Sequence, residues 1–186
     1  MTRYAFAFLL ILPALHAQDV PPPPKPADDG PSLADTMKFI EEKLGSSGRV
    51  NYIAYIHDNK IGNDFTLKFS DDETNVRASA PGCSIAGHTR YVRDEQVLED
   101  EDYGFGLKDV QEVAGVTGEQ FLRENNAKEG HPEWTARVDP PVFALVIKFK
   151  NIGYIFNLYD ESLANRIAKA IVHAVELCGG GSKEPF

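Results

Sequence analysis

Short segments in which apolar and polar residues alternate run through the middle of the chain and strongly limit what it can fold into. Residues 65–70 read FTLKFS, the two-residue period of a half-buried strand, and residues 76–80 continue the alternation. Further strands are predicted at residues 50–56, 83–92, 103–107, 112–116, 143–150 and 154–159. About seven short strands at this spacing are typical of an antiparallel β-sandwich or small barrel.

An amphipathic helix is predicted before the strands. Ser32 is a suitable N-cap, and Gly45 is a suitable stop. The apolar residues between them recur on one helical face, at Leu33, Met37, Ile40 and Leu44. The sequence therefore predicts a short helix that opens the folded part of the chain.

A second amphipathic helix closes the strand region. Asp160 can cap it, and Gly179 follows its last turn. Its apolar stripe comprises Leu163, Ile167, Ala170, Ile171 and Ala174. The predicted fold class is α+β: a seven-stranded antiparallel sandwich or barrel capped by a C-terminal helix, with an extra N-terminal helix.

Several polar segments between the strands are predicted to be irregular. Residues 71–73 (DDE) and 99–102 (EDED) predict solvated turns. Residues 117–129 predict a loop with one helical turn, and residues 130–141 predict a proline-rich loop.

The first 17 residues have the order of a secretory signal peptide. Arg3 precedes the uncharged apolar run YAFAFLLIL, Pro13 breaks that run, and Ala17 supplies a small residue for cleavage. The run is shorter than the roughly 20 residues that span a bilayer. A buried N-terminal helix is the alternative, but the following PPPPKP cannot continue a helix. We therefore predict an exported chain, periplasmic or secreted, with no transmembrane anchor.

The remaining chain divides by composition. Residues 18–31 are rich in Pro, Asp and Gly and predict a disordered spacer. Residues 32–178 predict a single globular domain, and residues 179–186 predict a flexible C-terminal tail. The formal net charge of −9 argues against a nucleic-acid partner, which would select a basic face.

Cys83 and Cys178 are the two cysteines of the chain, and an even count in an exported protein favours a disulfide between them. Two buried free thiols are the alternative. The sequence contains no CxxC pattern, which makes a redox catalyst a poor candidate.

No familiar catalytic, metal-binding or cofactor-binding motif occurs in the sequence. The histidines lack a zinc-binding spacing, and no GxSxG elbow, phosphate loop or dinucleotide fingerprint is present. Residues 58–64 come nearest to a calcium loop but lack the distant bidentate glutamate, so a solvated turn is the better interpretation. We therefore predict no catalytic residue, no metal and no cofactor.

The loop that carries the only tryptophan of the chain is a candidate partner surface. Trp134 lies close to His131 and Pro132 in this loop, and exposed aromatic residues there can anchor a peptide or glycan. The alternative, which we favour, is that Trp134 packs inward and closes one end of the sheet structure.

The order of the predicted elements resembles that of the pleckstrin-homology-like superfold over about residues 50–178. Residues 143–150 (FALVIKFK) and 154–171 are similar to the last two strands and the closing helix of such domains. Residues 106–113 (GLKDVQEV) are similar to the strand before them. The resemblance implies a module that binds lipid headgroups or peptides, more often than an enzyme.

The first hairpin loop departs from the lipid-binding members of that superfold. They carry several cations there, whereas residues 57–64 (HDNKIGND) hold one lysine among acids. This composition argues against phosphoinositide binding.

Three functions stay open from the sequence. The first is an exported, non-enzymatic binding module with a protein or peptide partner. The second is a structural envelope protein whose spacer only sets its reach. The third, which has least support, is a hydrolase whose site is assembled from scattered residues.

Overall fold

A computed structural model describes residues 30–150 and 153–181 of the chain. Helix α1 (Leu33–Ser47) is followed by strands β1 (Arg49–Asp58), β2 (Asn63–Ser79), β3 (Ser84–Arg93) and β4 (Gln96–Gly106). A 3-10 turn (Leu107–Asp109) then leads to β5 (Glu112–Thr117), α2 (Gly118–Lys128) and β6 (Trp134–Asp139). The last elements are β7 (Phe143–Lys148), β8 (Gly153–Leu158) and α3 (Glu161–Leu177).

The strands form two antiparallel sheets that do not close into a barrel. One sheet has the strand order β4-β3-β2-β1-β6, and the other has the order β5-β7-β8. The predicted α+β class, the antiparallel pairing and the closing helix are confirmed. The strand count was wrong, because residues 134–139 form an eighth strand, β6, which pairs with β1 between Ile53 and Asp58.

Two other segments that were predicted to be irregular are regular. Residues 99–102 lie within β4, whose exposed charged side chains suit a strand at the edge of a sheet. The turn comes earlier, at Asp94 and Glu95, which both have positive φ. Residues 118–128 form the full helix α2, which begins because the Thr117 hydroxyl accepts a hydrogen bond from the Gln120 N–H at 3.2 Å.

The predicted helix caps are confirmed at three of four positions. Ser32 and Asp160 cap the N-termini of α1 and α3, and Gly179 follows α3 with φ +75°. Gly45, in contrast, does not end α1, which continues to a C-cap at Gly48. At Gly48 the chain passes so close to β2 that a Cβ would lie 2.6 Å from the Glu73 Cβ, and only glycine fits there.

The apolar faces of α1 and α3 pack against both sheets. Ile167, Ile171 and Ala174 of the predicted α3 stripe are fully buried, and Leu163 and Ala170 are partly buried. Around them lie the largest buried side chains of the main core: Met37, Ile40, Leu44, Ile85, Leu107, Leu145, Ile147, Phe156 and Leu158. A second, smaller core joins β1 and β2 to α2 and β6 through Val50, Tyr52, Ala54, Ile56, Phe69, Leu122, Val138 and Val142.

Tyr159, directly after β8, links the two sheets. Its phenol accepts a hydrogen bond from the Asn51 N–H at 2.6 Å and donates one to the Asn51 carbonyl at 2.9 Å. The pairing of β6 with β1 begins only at Ile53, so this phenol satisfies main-chain groups that β6 does not reach.

The predicted disulfide between Cys83 and Cys178 is present. It ties the turn between β2 and β3 to the end of α3, with the two Cα atoms 5.9 Å apart and 95 residues apart in sequence. The cross-link therefore joins the closing helix to the larger sheet.

The predicted signal peptide (residues 1–17), almost all of the spacer (18–31) and most of the tail (179–186) lie outside the described residues. Among the residues that the structure describes, no helix is both long enough and apolar enough to cross a bilayer.

Replacing both cysteines, Cys83→Ala with Cys178→Ala, is expected to lower the free energy of unfolding by up to about 4–5 kcal/mol, because the cross-link restricts a long loop in the unfolded chain. Urea unfolding followed by circular dichroism measures the change. Val172→Ala on the exposed face of α3 is the control and should barely move the midpoint. An unchanged midpoint in the double variant would show that the disulfide does not stabilise this fold.

Candidate functional site

A cleft of about 240 Å³ lies between the face of the larger sheet, helix α2 and strand β8. We call it the cleft. The larger sheet contributes Leu67, Phe69, Asp71, Thr89, Tyr91, Arg93, Leu98 and Glu99. The other side is formed by Phe121, Leu122, Asn125, Asn126, Glu129, Ile155 and Asn157. The cleft thus combines an apolar lining with several converging polar groups, the usual character of a ligand site.

The pleat of β2 and β3 determines which of their side chains form the floor of the cleft. Alternate residues of a strand face the same side of the sheet, so Phe69 and Asp71 share one face of β2. In the antiparallel register Phe69 lies opposite Arg93 and Asp71 opposite Tyr91, which brings β3 side chains to the same face. The phase of the alternation therefore decides which polar groups enter the cleft.

Aromatic rings make this floor rigid. The rings of Tyr52 and Phe69 are stacked with centroids 4.9 Å apart, and those of Phe69 and Tyr91 are stacked with centroids 5.8 Å apart. Such stacks contribute beyond the area they bury. The polar groups beside these rings, including Asp71, therefore lie on a well-packed surface.

Asp71 and Asn157 form a buried polar pair in the cleft. They are 2% and 4% exposed, and the Asn157 Nδ2 donates to the Asp71 Oδ2 at 2.9 Å. Burial raises the pKa of the Asp71 carboxyl to about 6, although the hydrogen bond from Asn157 opposes this shift. At neutral pH this carboxyl is mostly ionised and close to its titration range.

Two residues that line the cleft each have a buried amide atom without a protein partner. The Asn157 Oδ1 and the Asn126 Nδ2 are both buried, and neither has a hydrogen-bond partner in the structure. A buried polar group without a partner costs about 1–3 kcal/mol. The polar groups of two side chains at the border of the cleft are therefore incompletely bonded within the protein.

Glu73 lies two residues further along β2 and is also buried, at 4% exposure. Burial raises the pKa of its carboxyl to about 7 and raises the pKa of the nearby Tyr103 phenol. The Glu73 Oε2 and the Tyr103 hydroxyl have no hydrogen-bond partner in the structure. Gly87 leaves room for the phenol, since a Cβ there would lie 2.5 Å from the Tyr103 hydroxyl.

The prediction of a solvated turn at residues 71–73 was therefore wrong. Asp71 and Glu73 point inward from the middle of β2, and Asp72 alone points outward, where Arg49 binds it with two hydrogen bonds of 3.0 Å. The sequence contained the signal: the alternation at positions 65, 67 and 69 continues without interruption to positions 71 and 73.

The predicted partner surface lies at the start of β6. Trp134 is half-buried, its indole N–H donates to the Asp58 Oδ2 at 2.9 Å, and its ring meets Phe65 edge-on at 5.0 Å. His131 stacks on the indole with centroids 3.9 Å apart, and Pro132 is exposed. Trp134 thus holds the end of the sheet together, while His131 and Pro132 lie at the surface.

Asp58 organises the turn between β1 and β2. Besides binding Trp134, it accepts hydrogen bonds from the main-chain N–H groups of Lys60 at 2.8 Å and Ile61 at 3.2 Å. Burial acts to raise the pKa of Asp58, but these hydrogen bonds outweigh it and hold the pKa below its usual value. The carboxylate is therefore already occupied within the protein.

The histidines of the described region pair with neighbours at the surface. His57 contacts Asp64 at 2.7 Å, and His88 contacts both Asp100 and Asp102 at 2.9 Å. Hydrogen bonds to Asp102 and Asp100 raise the pKa of His88. Within residues 30–150 and 153–181, no group of three or more His, Cys, Asp or Glu side chains is arranged to hold a metal ion.

Comparison with known proteins adds no relative. No protein-family model, no curated protein and no solved structure matches this chain significantly. The function of the chain is therefore inferred from its own geometry.

Glu73→Gln is expected to flatten the dependence of stability on pH. In the wild type the folded state binds the proton of the Glu73 carboxyl more tightly than the unfolded state does. The contribution of this group to stability is therefore complete below the ordinary carboxyl pKa and is lost as the pH rises to about 7. The Glu73 share of the pH-dependent loss should amount to roughly 2–3 kcal/mol and be missing in the variant, which keeps the share that comes from Asp71. Urea unfolding at pH 4.5, 6 and 8 measures it.

The matched control for this experiment is Glu101→Gln, which removes an exposed carboxyl from edge strand β4. This variant should retain the wild-type pH profile. Parallel pH profiles for wild type and Glu73→Gln would show that the buried carboxyl does not titrate in this range.

Proposed function

We propose that the chain is an exported, non-enzymatic binding module of pleckstrin-homology-like architecture that binds a protein or peptide. The element order supports the architecture: a four-strand meander β1–β4, three further antiparallel strands β5, β7 and β8, and a closing helix. In this interpretation α2 and β6 are an insertion between the first two strands of the second sheet.

One observation carries the proposed binding function: two residues that line the cleft each have a buried polar atom with no partner in the protein. Evolution can remove a free buried donor or acceptor by a single apolar substitution, and such groups are rare in folded proteins. Asn126 and Asn157 therefore make more sense in a site that a ligand completes than in a purely structural interior.

Export is supported by the disulfide between Cys83 and Cys178, because such bonds persist in oxidising compartments. The signal-like residues 1–17 provide the independent sequence argument. Together they favour a periplasmic or secreted location.

The first hairpin again argues against phosphoinositide binding. Lys60 is the single cation between His57 and Asp64, and these two flanking residues bind each other. An anionic headgroup would meet acids on this loop instead of the several cations that it requires.

Two other places have less support than the cleft. The first is a shallow hollow of about 860 Å³ beside Phe105, Phe149 and Tyr154, which is larger than the cleft but is lined by no residue with an unpartnered buried atom. The second is the surface near Trp134. The indole of Trp134 is already hydrogen-bonded within the protein. Neither place is lined by a residue with a buried polar atom that lacks a partner in the protein.

Ile155→Trp is expected to block the cleft, because Ile155 is 37% exposed at its mouth on edge strand β8. A library of capped amino acids and small fragments, screened by ¹H–¹⁵N NMR, should shift cleft resonances in the wild type and not in this variant. Val97→Trp is the matched control: it adds the same ring to an exposed edge residue outside the cleft lining.

Trp134→Ala separates the two candidate surfaces in the same screen. Binding at the cleft should survive this substitution if the variant stays folded, as its amide spectrum will show. Binding that is lost in Trp134→Ala and kept in Ile155→Trp would place the partner surface at the start of β6 and refute the cleft.

A further inference from the structure

We propose that two copies of the chain pair through strand β5, antiparallel and about a two-fold axis at Gly115. The two three-stranded sheets then become one continuous sheet. This inference goes beyond the proposed function and is independent of it, because no residue of β5 lines the cleft. It depends on an open strand edge, on the register in which that edge can pair with itself, and on the flank of α3 beside it.

The outer side of β5 carries main-chain groups that nothing in residues 30–150 and 153–181 binds. β5 pairs only with β7, and the Gly118 N–H donates to the Val142 carbonyl at 2.8 Å. Opposite residues of an antiparallel pair alternate between bonded and non-bonded, so the even-numbered residues of β5 bond to β7. Val113 and Gly115 therefore direct N–H and C=O outward, and Thr117 directs its N–H outward. No residue of β5 is buried, and Gly115 is exposed, so this edge is accessible.

The other three sheet edges of the described chain are protected, each in a different way. β4 carries acids at residues 99–102, and the Glu119 carboxylate accepts a hydrogen bond from the main chain of β6 at 3.1 Å. β8 faces the larger sheet, to which Asn157 is hydrogen-bonded. Such devices keep exposed edges from pairing. β5 has none of them, since its only charge, Glu112, lies at its start and binds Lys148 at 2.9 Å.

The open edge of β5 is complementary to itself. With the axis at Gly115, the two copies of this residue stand opposite each other and exchange both of their hydrogen bonds. The Thr117 N–H of each copy then faces the Val113 carbonyl of the other. On the two faces of the sheet Val113 stands opposite Thr117 and Ala114 opposite Val116, so no like charges are opposed. Pairs of β-branched residues stabilise such strands.

The flank of α3 beside this edge suits a second helix. A Cβ at Gly115 would lie 3.3 Å from the Asn165 Oδ1, so the flank that carries Asn165 faces β5. Ala168 and Val172 follow on the same flank at helical spacing. Val172 is 43% exposed, and Ala168 is small enough for close approach. Pairing of the two β5 edges brings these flanks together and removes their apolar surface from water.

The charges on the two copies of α3 are complementary in this register. Glu161 and Asn165 line one small cavity with Gly115 and Thr117, so α3 runs antiparallel to β5. Glu161 and Lys169 lie one turn to either side of Asn165, and the axis therefore brings Glu161 of one copy level with Lys169 of the other. Both side chains are exposed, and neither forms an ion pair within the described residues.

Sedimentation velocity of the chain between about 5 and 500 µM tests the pairing. One strand pair and one helix flank make a small interface, so we expect a dimer with a Kd of about 10–100 µM. Gly115→Pro removes the central N–H of the edge, which β7 does not use, and should weaken the dimer about tenfold or more. Gly115→Ala is the matched control: it keeps this N–H and should dimerise as the wild type does.

Cross-linking tests the register, and it decides the question even if Gly115→Pro fails to fold. In the proposed register the two Cα atoms at position 115 lie about 5.5 Å apart, a separation that a disulfide spans. Gly115→Cys should therefore give a covalent dimer in a glutathione redox buffer, seen on a non-reducing gel. Ala114→Cys is the control: it stands opposite Val116, is displaced from its own copy along the strand, and should give little dimer.

The expected result is a concentration-dependent dimer that Gly115→Pro abolishes and Gly115→Cys traps. A wild type that stays monomeric at about 500 µM overturns the proposal and leaves the edge to an extended segment of another protein. A dimer that survives Gly115→Pro, or equal cross-linking of Gly115→Cys and Ala114→Cys, shows that the copies meet elsewhere and also overturns it. None of these results bears on the fragment screen of the cleft, so the proposed function stands or falls separately.

Discussion

The inward face of β2 is the constraint on which the rest of the structure depends. Its first half carries Phe65, Leu67 and Phe69 into the smaller core, and its far end carries Val76 and Ala78 to the main core. Residues 63–72 of the same strand pair with β1, and residues 69–79 pair with β3. Two apolar interiors are thus built on one seventeen-residue strand, and Asp71 and Glu73 occupy the junction between them.

A bulge allows one strand to serve both cores. The register between β2 and β3 shifts between Thr74 and Arg77, and Asn75 within it has φ +54°. Before the bulge the inward residues are odd-numbered, and after it they are even-numbered. The acids stand directly before the shift, where the inner surface of the sheet changes from one packing partner to the other.

Much of this architecture could be predicted from periodicity, because strands and helices with one buried face record that face in sequence. The helices α1 and α3 and most strands were predicted in this way, whereas the disulfide was predicted from the even cysteine count of a chain expected to be exported. The parity change between 65–73 and 76–80 was also readable in the sequence as a bulge, and with it the inward direction of Asp71 and Glu73. Acidic residues outweighed the alternation in that interpretation, although the alternation was the stronger constraint.

Other features could not be read because they depend on distant neighbours. Residues 134–139 form strand β6 only because one edge of β1 is available for pairing. Helix α2, which Thr117 caps, has a polar composition that does not predict a helix by itself. The cleft joins side chains from five elements, including Asn126 and Asn157, which carry no local signal of burial. A site assembled across the fold becomes visible only when the elements are placed in space.

The cleft and its surroundings show how stability and binding compete in one region. Burial holds the carboxyls of Asp71 and Glu73 at pKa values of about 6 and 7, which means that ionising them at neutral pH costs folding free energy. The aromatic stack of Tyr52, Phe69 and Tyr91 and the two apolar cores offset this cost. A preorganised but incompletely satisfied pocket is the arrangement in which a ligand gains most from arriving.

The phenol of Tyr159 has a consequence for how copies of the chain behave at high concentration. Beyond the reach of β6, the outer side of β1 would offer an N–H and a carbonyl in the pattern that a foreign strand recognises. Tyr159 occupies both groups at Asn51 with a single side chain that cannot propagate a ladder. It therefore blocks edge-to-edge pairing at this point of β1, a contact through which exposed sheet edges aggregate.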